Sequence, residues 1–135
     1  MNSSLSKKII DTGRSFIGTP YTFGAPSGRS DTFDCSSFVQ YVYAQHGILL
    51  PRTSRQQYLT GKPIPLDSVR KGDLLFFTTS KRKNLKGNAK IGHVAIFIGN
   101  NTMLHTSRVE KKVSLAPLSN QWKKRISGVR RVIAL

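Results

Sequence analysis

The sequence predicts an α+β domain in which N-terminal helices pack on one side of a mainly antiparallel sheet of five to six strands. Three observations predict it. Up to about Gly47 the apolar residues recur at three- and four-residue spacing, the period of an amphipathic helix. Beyond the segment GKPIP at 61–65 the pattern changes to short apolar or alternating runs separated by turn residues, as in strands. The chain has 135 residues, 38% of them apolar and spread along its length, which suits one domain over 1–135 with a core of its own and argues against disorder.

The elements follow in order. Residues 4–17 read as a first helix with Ile9, Ile10, Phe16 and Ile17 on its apolar side, weakened by Gly13. GTPYTFGAPSGRSDT at 18–32 is a Gly/Pro/Ser loop. From Asp34 a second helix carries Phe38, Val39, Val42 and Tyr43 on one side and closes at Gly47. After Pro51 the segment TSRQQYL reads as a further helical piece capped by Thr53 or Ser54. Strands are expected at 73–78, 93–99, 102–107, 112–116 and 128–135, with Gly99-Asn100-Asn101 as a tight hairpin turn. In the run 93–98 a period of two puts His93, Ala95 and Phe97 on one face and sends Val94, Ile96 and Ile98 to the core. The basic segment 80–90, SKRKNLKGNAK, reads as a mobile loop between strands.

Charge bounds the partners. Lys and Arg number 22 against six Asp and Glu, a net charge of +16, and a field of that sign raises the encounter rate of polyanions. Nucleic acid, an anionic membrane surface and an anionic cell-wall polymer all fit it. No apolar run approaches the roughly 18 residues of a membrane span; the longest clear one, VAIFI at 94–98, has the length of a strand. The N-terminal MNSSLSKKII lacks the apolar stretch of a signal peptide, so no export signal is expected in this chain. A single cysteine excludes an internal disulfide and a thiolate zinc cluster. His46, His93 and His105 stand far apart in sequence, and neither a metal nor another cofactor is expected.

Three residues carry candidate chemistry. Cys35 stands where the second helix begins, and there the unpaired N–H groups and the helix dipole favour a thiolate. Two readings of it stand, a small packing residue and a nucleophile. His93 opens a strand, from which an imidazole can reach a helix mouth and exchange a proton with a thiol; alone it reads equally as an ordinary satisfied histidine. His105 falls on the adjacent strand across the expected hairpin, in position to hydrogen-bond His93 and fix its tautomer. The strand pairing that joins the histidines favours catalysis over packing for the three together.

Taken jointly, PYTFG (20–24), DCSSFV (34–39), LPRTSRQQ (50–57), KGDLLFF (71–77), GHVAIFIG (92–99) and LHTS (104–107) resemble the NlpC-type peptidoglycan endopeptidases, papain-like cysteine peptidases of the bacterial cell wall. The likeness runs from about Ile9 to the last strand. It implies a papain-like fold with Cys35 as nucleophile, His93 as general base and acid, and His105 orienting His93. It implies further that Tyr21 reaches the thiol region and helps bind substrate or the oxyanion, and that Asp34 and Ser36 line the subsite on the acyl side. The implied reaction is hydrolysis, through a thioester, of the γ-D-glutamyl link to a diamino acid in a peptidoglycan stem peptide. No cofactor is implied, and the substrate implies a cell-wall or extracellular location. Ala25, Ser37 and Ala95 depart from the family pattern, standing where glycine is usual, and the 80–90 loop is longer than the usual link.

The remaining marked residues read as structural. Asp73 fixes a turn at a strand start, Arg52 and Arg55 cap, pair or touch substrate and are read as structural, Trp122 packs rather than forming a sugar platform, and His46 is a solvent-facing cation at a helix end. The charge adds an expectation of binding to anionic wall polymers such as teichoic acid. The main rival from another class is a basic nucleic-acid-binding module, but no recognition motif for specific nucleic-acid binding is present. A closer rival is a papain-like amidase or acyltransferase with another substrate. A monomer is expected.

Overall fold

A computed structural model describes residues 3–133. Its helices are α1 (Ser3–Arg14), α2 (Cys35–Ala44), α3 (Ser54–Gln57) and α4 (Asn120–Lys123), and its strands β1 (Lys62–Pro63), β2 (Leu74–Thr78), β3 (Ile91–Gly99), β4 (Thr102–Thr106), β5 (Val113–Pro117) and β6 (Ile126–Arg131). The strands form one six-stranded sheet in the order β1-β6-β2-β3-β4-β5, with every pairing antiparallel. The α+β class and the strand number agree with the sequence reading. Two elements escaped it, β1 and α4, because two and four residues are too few to display a period.

The first helix stops at Arg14, short of the expected 17, and Ile17 is 47% exposed. Gly13 has a packing role as well as a low helix propensity: a methyl at that position would meet Leu104 Cδ2 at 2.7 Å, so glycine lets α1 lie close on the sheet. The end of α2 is closed by Gly47 at φ +80°, with Ile48 N–H bonded to the Tyr43 carbonyl at 3.1 Å and Gly47 N–H to that of Ala44 at 3.1 Å. That pair of bonds is the Schellman arrangement, and it satisfies carbonyls the helix leaves open. Asn100 and Asn101 both take positive φ, +50° and +55°, between the paired Gly99 and Thr102, the type I′ geometry that a two-residue hairpin requires. The last strand ends at Arg131 rather than 135, and residues 134–135 lie outside the described ones.

Both faces of the sheet are covered. Ile9, Phe38, Val39, Val42 and Tyr43 from the helices cluster with Leu74, Phe76, Val94, Ile96 and Leu104. On the opposite face Leu75, Phe77, Ala95, Met103 and Val129 form a second cluster under Trp122 and Ile126. The alternation read in β3 holds, yet the face of His93, Ala95 and Phe97 is a second core rather than an open side. Asp73 ties the far end together: it accepts Arg70 N–H at 2.9 Å and pairs in a fork with Arg131, Nε to Oδ1 at 2.9 Å and Nη2 to Oδ2 at 2.8 Å. The turn role expected of Asp73 is therefore joined by an anchor for β6.

Candidate active site

The mouth of α2 is built around Asp34. Its backbone is extended, and its Oδ1 accepts the Ser37 N–H at 2.8 Å while Ser37 Oγ accepts the Asp34 N–H at 2.9 Å, a reciprocal capping box. Asp34 Oδ2 takes a further N–H from Gly24 at 3.1 Å and pairs with Arg52 Nη2 at 2.7 Å. The same guanidinium bonds Ser36 Oγ at 2.9 Å and the Ala25 carbonyl at 2.6 Å. Arg52, read as structural, thus joins the loop at 24–25 to the helix start. Asp34 and Ser36 are 8% and 5% exposed, so they stand under the helix mouth as scaffold, with their polar atoms already engaged.

Cys35 is the first residue of α2, half-buried and packed against the helix-side core. Burial pushes its thiol up to about 11, with the Asp34 charge adding to the rise; main-chain hydrogen bonds from Val94 and Ser36 and the charge of Arg52 oppose it. The helix start does favour a thiolate, as expected from sequence, but desolvation is the larger effect. The resting thiol therefore keeps its proton at neutral pH. The bond from Val94 also brings the start of β3 against the sulfur.

The two histidines meet as the hairpin dictates. The β3–β4 register, Ile96 opposite Leu104 and Phe97 opposite Met103, carries His105 to the face of His93. His93 Nε2 and His105 Nδ1 share a hydrogen bond of 2.8 Å, and the residues are 6% and 0% exposed. Burial, reinforced by His105 and Arg125, holds His93 well below the usual histidine value of 6.5. Burial also lowers His105, against the opposing charge and hydrogen bond of Glu110. Both rings are neutral at pH 7.

Trp122 does pack, as expected, but on the histidines themselves. Its ring stacks on His93 at 5.4 Å and 28° and meets His105 edge-on at 5.4 Å. Phe77 flanks His93 at 5.6 Å, and the Arg125 guanidinium lies 4.7 Å over the indole. Glu110, which the sequence reading did not single out, places Oε1 2.7 Å from His105 Nε2. That contact is short but lies off the line of a ring N–H, so it is a bent approach.

The rim is set by the 18–34 loop. Isolated bridges pair Pro20 with Lys112 and Tyr21 with Phe33, fixing Tyr21 beside the site. Burial raises the Tyr21 phenol, the hydrogen bond from Arg108 lowers it, and Cys35 and Asp34 are near enough to raise it further. Arg108 also lies 4.5 Å over the Phe23 ring. Arg55 bonds the Ile91 carbonyl at 2.9 Å, a structural tie as read. The 80–90 segment is more organised than a simple link: it holds a 3-10 turn at Gly87–Lys90, and Arg82 Nη1 reaches back to the Ala89 carbonyl at 2.8 Å. His46 is half-buried rather than solvent-facing; its Nε2 is hydrogen-bonded to Thr12 Oγ1 at 2.8 Å and links the end of α2 to α1. Among the described residues no three His, Cys, Asp or Glu side chains are grouped to hold a metal, and no helix is long and apolar enough to cross a membrane.

Comparison with known proteins finds relatives over most of the chain. The γ-D-glutamyl-L-lysine dipeptidyl-peptidase of Bacillus cereus is 36% identical over 126 residues, 93% of this chain and 36% of that protein. The peptidoglycan DL-endopeptidase CwlO of Bacillus licheniformis is 36% identical over 141 residues, 98% of this chain and 29% of the relative. The chain thus spans well under half the length of these curated relatives. The crystal structure of an NlpC/P60 family protein from Bacillus cereus superposes with a TM-score of 0.84 at 33% identity, over 96% of this chain and 40% of that one. The papain-like domain expected from the sequence motifs is the fold these proteins share. With the family model itself matching residues 18–131, the chain belongs to the NlpC/P60 family.

Proposed function

We propose that this chain is a cell-wall hydrolase, a cysteine endopeptidase that cleaves the γ-D-glutamyl–diamino acid amide of peptidoglycan stem peptides through a thioester at Cys35. The observation that carries the proposal is the buried 2.8 Å pair of His93 and His105, with β3 delivering the Val94 main chain to the Cys35 thiol one residue beyond the His93 ring. The relatives named above for γ-D-glutamyl and DL bonds support the substrate class.

Attack starts from neutral partners. The Cys35 proton passes to His93 as the S–C bond forms and the carbonyl π pair moves onto oxygen. Main-chain N–H groups at the mouth of α2 receive that oxyanion. The imidazolium then gives its proton to the departing amine as the C–N bond breaks, which leaves the thioester. Water attacks next, His93 takes its proton, and the acid product departs as the thiol is restored. His105 orients His93 throughout. Tyr21 borders the cleft as a substrate or oxyanion contact, while Asp34 and Ser36 shape the acyl-side subsite from beneath. Such a substrate places the enzyme at the cell wall or outside the cell, and the +16 charge attracts anionic wall polymers such as teichoic acid.

Digestion of purified peptidoglycan, with fragments identified by mass, tests this reading. Wild type is expected to release fragments cut after γ-D-glutamate, and Cys35→Ser none; equal products from both would remove Cys35 from the chemistry. Binding to the sacculus in the same experiment should weaken from low to high salt, and retention that ignores salt would reject the polymer contact.

A further inference from the structure

Glu110 is the only glutamate in the chain, one of six acids against 22 bases. It sits in the β4–β5 connection, where Ser107 Oγ donates to its Oε1 at 3.3 Å and Ser114 Oγ to its Oε2 at 2.9 Å. Ser114 is also the cross-strand partner of His105, so the strand register presents the carboxylate to the back of that ring. Oε1 then lies 2.7 Å from His105 Nε2, a nitrogen with no other partner among the described residues.

A carboxylate oxygen only accepts. Two lone pairs at this distance repel, so His105 Nε2 must carry the hydrogen even though the approach is bent. A neutral imidazole has one N–H, which makes Nδ1 of His105 an acceptor. That atom is 2.8 Å from His93 Nε2, which must therefore be the donor. One hydrogen is then spent on each ring, and His93 Nδ1 is left bare. Without Glu110 the pair is free to run the other way, with His105 Nδ1 donating to His93 Nε2. His93 would then hold its hydrogen on Nδ1, and that nitrogen would accept no proton from a thiol.

We propose that Glu110 is a positioning residue that sets the direction of the hydrogen-bond relay through both histidines, leaving His93 Nδ1 as the nitrogen that takes the Cys35 proton. The inference rests on the catalytic reading above and deepens it, adding the residue behind the pair and the atom in front. The carboxylate also faces the positive charge that arrives when His93 is protonated. A mere loop tie through Ser107 and Ser114 would need neither ring.

Long-range 1H–15N spectra of the imidazoles in the full chain test the relay directly. Wild type should show both rings as the Nε2–H tautomer, and a hydrogen on Nδ1 of His93 would overturn the proposal with no variant needed. In Glu110→Ala both tautomers should appear, with kcat down by about tenfold or more and KM little changed, as for carboxylates that hold a histidine from behind. Unchanged tautomers in folded Glu110→Ala would also overturn it. Glu110→Gln keeps an acceptor oxygen without the charge, and should retain the tautomers while kcat falls; a loss of the Nε2–H form there would count against the accepting role. The spectra can be recorded on Cys35→Ser with no substrate present. A relay that behaves as described in an enzyme that still turns over without its thiol would leave this inference standing and bring down the proposed nucleophile.

Discussion

The two halves of the site are built from opposite materials. At the mouth of α2 the surroundings are polar: Asp34 and Arg52 pair at 2.7 Å, and Gly24, Ala25, Ser36 and Ser37 complete the network around them. Across from it the histidines sit among aromatic rings, with Trp122 stacked on His93 and Phe77 beside it. Both halves nonetheless hold their titratable groups, the Cys35 thiol and the two imidazoles, uncharged. Burial raises the thiol to about 11 against two main-chain hydrogen bonds and the Arg52 charge, and burial together with His105 and Arg125 holds His93 well below 6.5. The difference lies in what the surroundings do. The polar network fixes a backbone, the helix start that carries Cys35, whereas the aromatic packing keeps two rings dry and aligned.

That comparison breaks most visibly at Arg52. Arg52→Ala removes three bonds at once and leaves Asp34 buried with its partner gone. Removing one member of a buried pair costs about 3–5 kcal/mol, and because the Arg52 side chain is 27% exposed, solvent screening brings the expected cost below that range, to about 2–3 kcal/mol. Urea unfolding measures it. A midpoint equal to that of wild type would mean the network does not hold the helix mouth.

A smaller effect should come from the aromatic half, through pH. Both histidines are lowered in the folded chain, so as pH falls through about 6.5 the unfolded chain takes up protons that the folded one refuses. Stability is therefore lost on acidification below 6.5 and regained above it, by at most about 1.4 kcal/mol per pH unit for each ring. Thermal unfolding between pH 8 and 5 should show a falling midpoint, with a shallower fall in His93→Gln. An identical slope in the variant would show that the dry packing of His93 does not depress its protonation.

What the sequence disclosed and what it withheld follow from range. Cys35 at a helix start, the Asn100-Asn101 turn and the meeting of His93 with His105 all depend on local periods or on one hairpin, and all were legible. Arg52 reaches Asp34 across 18 positions, and no period announces such a partner. Trp122 covers the histidines only because the chain after β5 returns to insert β6 between β1 and β2, a long-range choice of topology. Glu110 lies five residues after His105, yet only the β4–β5 register turns its carboxylate back toward the ring. Only part of the thiol's environment was legible for a related reason: the helix start can be read from position, whereas the larger burial effect exists only once β3 and the core close over the sulfur.

The claim beneath all of this is that the lone sulfur becomes covalently acylated. A stem-peptide substrate with a γ-D-glutamyl amide, mixed with the protein and quenched in acid during the first turnovers, allows the intact protein to be weighed. A mass gain equal to the acyl portion, mapped to the peptide containing Cys35 and released by hydroxylamine, is the predicted result. Product formation with no such adduct, together with continued turnover by Cys35→Ala, would contradict the account.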